Sequence, residues 1–186
     1  ISAINGIMSS SANTTSGGLN TVRFIEDTFI RYQGNNEVRK SNLSILDRNV
    51  NQSSTPVIEN QNIVNAFIND VAMTVLPNAP IDDATGLPIP TIAIATNGGV
   101  SVIKDDGNVF DLNIVNRAYS SVDFTSDGLI FAVENPGGVN YDLLRYFEIL
   151  SADRDNSNAP ATYGPSSTPA LFPSNTKGNI FDSFAY

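Results

Sequence analysis

The chain contains no cysteine and no histidine. The first absence excludes disulfides and cysteine nucleophiles, so redox chemistry gives no clue to compartment. The second removes Ser-His-Asp catalysis. Together they exclude every transition-metal site built on imidazole or thiolate within these residues. Positive charge is also scarce: 10 Lys and Arg stand against 19 Asp and Glu, for a net charge of −9 and a pI near 4.2. Arg39-Lys40 is the single adjacent basic pair. Nucleic-acid binding draws its affinity from clustered cations that track phosphates, so no nucleic-acid partner is expected. No stretch approaches the roughly 20 apolar residues that cross a bilayer, so no membrane insertion is expected either. Residues 1–18 lack the basic start of a signal peptide. The first residue is Ile, which suggests a processed or excerpted chain.

What remains is 186 residues, 41% apolar and only 16% charged. That composition fits a folded domain and excludes a disordered chain. Asn, Ser, Thr and Gly are abundant, as many short turns require.

The densest signal lies in Thr91 to Asn113, TIAIATNGGVSVIKDDGNVFDLN. Ile92, Ile94 and Thr96 alternate with Ala93 and Ala95, the period of a pleated strand. Asn97-Gly98-Gly99 tolerates the positive φ of a hairpin, and Asp105-Asp106-Gly107 marks a second turn. Three consecutive antiparallel strands make a meander. A repeat surrounds it. Asn62 to Met73 (NIVNAFINDVAM) and Asn113 to Phe124 (NIVNRAYSSVDF) share their first four residues 51 positions apart, with Val71 on Val122 and Met73 on Phe124. A third copy is expected upstream, where Val22, Phe24, Asp27 and Ile30 match Val122, Phe124, Asp127 and Ile130 at a shift of 100.

A period of about 50 residues built on meanders predicts an all-β fold of antiparallel four-stranded sheets arranged as a β-propeller. An arc of a larger propeller is favoured over a closed four-bladed ring in which Ile4 to Met8 pairs with the C-terminal strand. The expected organisation runs in six parts. Residues 1–18 form a flexible connection or the outer strand of a preceding blade; 19–61 hold blade 1 and a polar linker; 62–112 hold blade 2, with a proline-rich loop at 77–90. Blade 3 spans 113–150, a long polar loop 151–178, and 179–186 begin a further strand. Less than about a tenth of the chain should be helical. Val22, Phe24, Val71, Met73, Ile92, Ile94, Val102, Val122, Phe124 and Ile130 should be buried. YDLLRYFEIL (141–150) reads as a strand in preference to a helix.

Chemistry-bearing residues are few. Asp82-Asp83 and Asp105-Asp106 are adjacent pairs, whereas glycoside hydrolysis needs two carboxyls spaced across a sugar. No catalytic or cofactor-binding residue is assigned, and no cofactor is expected. Asp153, Asp155 and Ser157 occupy oxygen-ligand positions of a calcium loop, but the sixth position is Asn158 where glycine belongs and the twelfth is Gly164 where glutamate belongs. Pro77, Pro80, Pro88 and Pro90 project a stiff loop, and Tyr163 and Phe172 lie near polar loops. These six are the expected interaction positions.

DVAMTVLPNAPIDDATGLPIPTIAIATNGGVSVIKDDGNVFDL, with its T-x-G-G-V-S-V-I-K-D-D-G-type core, resembles the repeats of large propeller-bearing structural proteins of marine bacteriophages. The resemblance covers about residues 63–133 and carries no catalytic motif. It implies a non-enzymatic virion component, part of a tail, nozzle or fibre, whose partners are other virion subunits in a symmetric assembly. A carbohydrate-directed protein, either an adhesin for a host-surface glycan or a polysaccharide-degrading enzyme, is the alternative. A secreted or periplasmic propeller remains a third reading.

Overall fold

A computed structural model describes residues 1–12, 17–33, 38–41, 55–57, 62–113, 117–126, 128–135, 142–155 and 162–163. The chain is all-β: the described residues contain no helix. Three antiparallel sheets follow one another along the sequence, and none closes on itself.

The first sheet has six strands in chain order: β1 (Ser2–Ile4), β2 (Ile7–Ala12), β3 (Gly18–Arg23), β4 (Thr28–Tyr32), β5 (Val38–Ser41) and β6 (Thr55–Val57). The second has four: β7 (Ile68–Thr74), β8 (Thr91–Thr96), β9 (Gly99–Ile103) and β10 (Val109–Leu112). The third comprises β11 (Ala118–Phe124), β12 (Leu129–Asn135), β13 (Leu143–Glu148) and β14 (Thr162–Tyr163). Within YDLLRYFEIL, Leu143–Glu148 form a strand, as the alternation predicts.

The second sheet lies between the other two, and its sequence shows why. Ile92 and Ile94 on β8, with Ile68, Val71 and Ile103, join Leu19 and Tyr32 of the first sheet in one core. Ala93 and Ala95, pointing the other way, join Val100, Val102 and Leu112 against Tyr119, Val122, Ile130, Ala132 and Phe147 of the third. Successive strand residues face opposite sides of a sheet, so a strand with both faces covered must be apolar throughout. All six residues of β8 are buried. Alanine on the second face leaves room for Tyr119 and Phe147, both buried, to reach between the sheets.

Glycines set two of the closest strand approaches. Gly18 opens β3 at φ +121 and Gly99 opens β9 at φ +150. A Cβ there would stand 2.1 Å from the Tyr32 carbonyl oxygen in one case and 2.0 Å from that of Leu112 in the other. Of Asn97-Gly98-Gly99, only Gly99 takes a positive φ. Asp105-Asp106-Gly107 turns as expected, with Gly107 at φ +85 and its N–H donating to Lys104 O.

Several expectations need correction. Residues 2–12, expected as a flexible connection or the outer strand of a preceding blade, form a paired hairpin, Ile4 opposite Ile7 across an Asn5-Gly6 turn. Both turn residues take positive φ, the geometry Asn-Gly favours. That pairing makes β1 and β2 neighbours in the first sheet, and the C-terminal strand expected to close a ring on them lies outside the described residues. The linker expected to follow blade 1 contributes β6, and with the β1–β2 hairpin the first sheet has six strands instead of four.

The upstream copy is displaced. Val22 sits on the third strand of its sheet, whereas Val122 sits on the first strand of its own. Phe24 is not buried but 53% exposed, because β3 ends at Arg23 and Phe24 already belongs to the turn. Val22, Met73 and Phe124 are half-buried; Val71, Ile92, Ile94, Val102, Val122 and Ile130 are buried.

Candidate functional site

The first strands of the three sheets converge. β7 packs against β1 and β2, and β11 packs against β7 and β8. A polar cleft of ≈ 420 Å³ follows this line, with Ser2, Asn69, Asp70, Ser120, Ser121 and Asp123 among its walls. A second cleft of ≈ 400 Å³ shares Asn69 and Ser120 and adds Ser11, Asn97 and Asn135.

Two β-bulges shape these walls. The β7–β8 register skips between Ile68 and Asp70, and the β11–β12 register skips between Tyr119 and Ser121. A bulge leaves one residue unpaired and re-aims its neighbours. Here the extra residues are Asn69 and Ser120, 51 positions apart, both exposed. Asp70 then points at the neighbouring sheet. Its Oδ2 accepts from the Ser121 hydroxyl at 2.8 Å and from the Val122 N–H at 3.0 Å. Its Oδ1 accepts from the Val71 N–H at 2.9 Å. The Asn69 amide donates to Tyr119 O at 2.7 Å and to Asn97 Oδ1 at 2.9 Å. The bonds to Tyr119 O, the Ser121 hydroxyl and the Val122 N–H cross between sheets with no strand pairing to help them.

A second charged group lies inside the third sheet. Glu134 is fully buried on β12, and its carboxylate meets Arg145 Nε from β13 and the Arg117 guanidinium at 2.9 Å. The Tyr119 hydroxyl donates to Glu134 Oε2 at 3.3 Å, and burial pushes the phenol well above its usual pKa. The set is an ion cluster with an aromatic donor.

Asp111 on β10 is the third. Burial pushes its carboxyl up to about 6; the Asp153 charge adds to the rise, and the Ser101 hydroxyl, donating to Oδ1 at 2.6 Å, opposes it. Ser101 Oγ in turn accepts from the Val64 N–H at 2.9 Å.

The expected positions fall as follows. Asp153 Oδ1 accepts from the Asp111 N–H at 2.9 Å, and Arg154 bridges Leu112 in parallel, so this part of the polar loop runs along the free edge of β10. Asp153 and Asp155 line a cleft of ≈ 270 Å³ with Asp111, Asn113 and Arg154; Ser157 lies outside the described residues. Among the described residues no group of three or more acidic side chains is placed to hold a metal ion. Tyr163 lies on β14 opposite Leu144, a paired strand inside what was expected to be a loop, and Phe172 lies outside the described residues. Pro77 and Pro80 are exposed, Pro88 is half-buried and Pro90 is buried. The 77–90 loop folds on itself: Ile81 bridges Pro88, and the Ile89 N–H donates to Pro80 O at 2.8 Å. The Asp82-Asp83 and Asp105-Asp106 pairs serve turns. Asp82 Oδ1 accepts from the Ala84 N–H, and Asp106 Oδ1 accepts from that of Asn108; each bond lowers the carboxyl's pKa.

Sequence reasoning passed over Asn69, Asp70 and Ser121, although all three lie inside the aligned repeat. The signal was a polar pair, Asn69-Asp70 on Ser120-Ser121, interrupting an apolar strand at the same place in both copies. Glu134 and Arg145 left no comparable mark. No helix among the described residues is long and apolar enough to cross a membrane. No family model and no curated protein matches the chain.

Proposed function

We propose that the chain is a non-enzymatic structural module whose three sheets are successive blades of a β-propeller, serving subunit packing in a bacteriophage virion as part of a tail, nozzle or fibre. The observation that carries this reading is the Asp70–Ser121 bond. It joins matching bulges on the first strands of neighbouring sheets, which supports reading those strands as equivalent strands of successive blades set around an axis. The cross-sheet bonds of Asp70 and Asn69 hold sheet to sheet, an architectural use of polar side chains. The virion assignment rests on the resemblance of residues 63–133 to phage propeller repeats.

A carbohydrate-directed role is the second reading. The cleft lined by Asn69, Asn97, Ser120 and Asn135 offers neutral amides and a hydroxyl, the donors and acceptors that sugar hydroxyls match.

Electron cryomicroscopy of the natural complex that contains the chain tests the first reading. Multiple copies in a symmetric ring on a phage particle are expected. A free protein that cleaves a polysaccharide, with turnover abolished by one Asp or Glu substitution, overturns it. Glycan-array binding that Asn97→Ala and Ser120→Ala remove establishes the second reading.

A further inference from the structure

Two turns from different sheets bring four large apolar side chains to the surface. Phe24 and Ile25, in the β3–β4 turn, are 53% and 63% exposed; Ile81 and Leu87, in the 77–90 loop, are 56% and 43% exposed. They form one neighbourhood. The Phe24 N–H donates to Gly6 O at 3.0 Å, and Ile25 Cγ1 lies 3.7 Å from where a Gly6 Cβ would stand. The adjoining Asn5 side chain donates to Pro88 O at 2.8 Å. Pro88 follows Leu87 and bridges Ile81. Scattered surface apolar residues are ordinary, but a group of this kind on turn tips marks a contact surface.

The surface is built before any partner arrives. Within the loop the Asp82 N–H donates to Leu87 O at 2.9 Å and the Gly86 N–H to Asp82 O at 2.8 Å. A preorganised loop loses little entropy on binding.

Its rim is acidic. Glu26, Asp27, Asp82 and Asp83 lie on the same two turns as the apolar group, and Arg23 adjoins them among the described residues. Arg23 is already engaged by Glu26 at 3.0 Å. The Ala84 N–H, with help from Glu26 and Arg23, holds the Asp82 carboxyl below the usual range, so it is ionised at neutral pH. A second copy of a chain with net charge −9 would bring carboxylates against carboxylates. An anionic membrane surface would be repelled in the same way.

We propose that Phe24, Ile25, Ile81 and Leu87 form a docking surface for a different polypeptide, one with an apolar centre ringed by lysine and arginine. This gives a partner chemistry to the packing role above and rests on that reading.

Water-soluble carbodiimide, which couples carboxylates to amines, tests it on the natural complex. In the isolated chain Glu26, Asp82 and Asp83 label freely with an added amine. In the complex they are expected to be protected and, without added amine, to cross-link to lysines of another polypeptide. Cross-links to a second copy of this chain overturn the proposal, as does protection by co-purifying phospholipid with no polypeptide joined. Full labelling within an intact complex defeats this inference alone, while a chain that purifies by itself defeats the packing role and the inference together. The combined Ile25→Ser and Ile81→Ser variant keeps a native circular-dichroism spectrum and rejoins the stripped complex at least about tenfold more weakly, a loss of roughly 1.4 kcal/mol. Undiminished rejoining overturns the proposal.

Discussion

Asp70 and Ser121 stand 51 residues apart in the chain and 2.8 Å apart in space. Each follows the extra residue of a bulge, and the two bulges occupy the same place on β7 and β11. The Asp70 carboxylate also takes the Val122 N–H, so one side chain satisfies two donors on the neighbouring sheet.

Replacing Asp70 with alanine therefore removes three charge-assisted bonds, two of them to the neighbouring sheet, and strands the Val122 N–H. The expected cost is about 1.5–3 kcal/mol in urea unfolding. Asp70→Asn keeps an acceptor and costs less. Equal stability of Asp70→Ala and the parent chain would show that the sheets hold together by apolar packing alone.

The close strand approaches at Gly18 and Gly99 lead to a comparison with Gly107. Alanine at Gly18 or Gly99 adds a Cβ about 2 Å from a neighbouring carbonyl oxygen on top of an unfavourable φ. At Gly107 nothing lies within 4 Å, so only the cost of positive φ remains. Gly107→Ala should cost about 1–2 kcal/mol, and the other two roughly 1–3 kcal/mol more, by thermal or urea denaturation. Three equal losses would mean the strands shift freely to admit the methyl group.

The all-β class and the central meander were legible because one face of β8 is Ile and the other Ala, and both patterns are written in alternation. The proline spacing likewise marked the 77–90 loop. The third copy was misplaced for a physical reason. Val-x-Phe is a generic strand signature, and the fit of Val22 and Phe24 to Val122 and Phe124 ignored which strand of a sheet each occupies. Gly18 with Leu19 against Gly99 with Val100 is the better match: both glycines open the third strand of their sheet and both following residues are fully buried. Asn5-Gly6 between ISAI and IMSS was a readable hairpin that the serine-rich residues beyond it obscured. The Asp111 and Glu134 environments depend on side chains from three or more segments, and no local pattern encodes them.

Asp111 makes stability depend on pH in a direction opposite to a salt-bridged carboxylate. Its folded pKa of about 6 exceeds the ordinary 3.8, so the folded state holds the proton more tightly than the unfolded state does. Stability from this group is present below about pH 4, falls as pH rises between 4 and 6, and stays lower above. Asp111→Asn, which still accepts from Ser101, should raise stability at pH 7.5 by about 1–2 kcal/mol after allowance for partial solvation, and have little effect at pH 4. Unfolding midpoints across that range check the sign. An Asp111→Asn chain less stable at pH 7.5 than at pH 4, relative to the parent, would reverse it.

The Glu134 cluster makes the last test. Glu134 is fully buried and Arg145 is 7% exposed, so their ion pair offsets part of what each loses in leaving water. Arg117, a third exposed along its side chain, can return to solvent if its partner is removed. Glu134→Leu removes the buried carboxylate that Arg145 and Arg117 share, and Arg145→Met leaves Glu134 held by Arg117 and Tyr119. The first should cost about 3–5 kcal/mol and the second less. The double variant, Glu134→Leu with Arg145→Met, removes both ions and fills their space with apolar atoms. It should be more stable than Glu134→Leu alone, a coupling of at least about 1 kcal/mol in a double-mutant cycle measured by urea unfolding at pH 7. Additive losses would mean that Arg145 finds water or another carboxylate once Glu134 is gone, and that the two side chains meet without depending on each other.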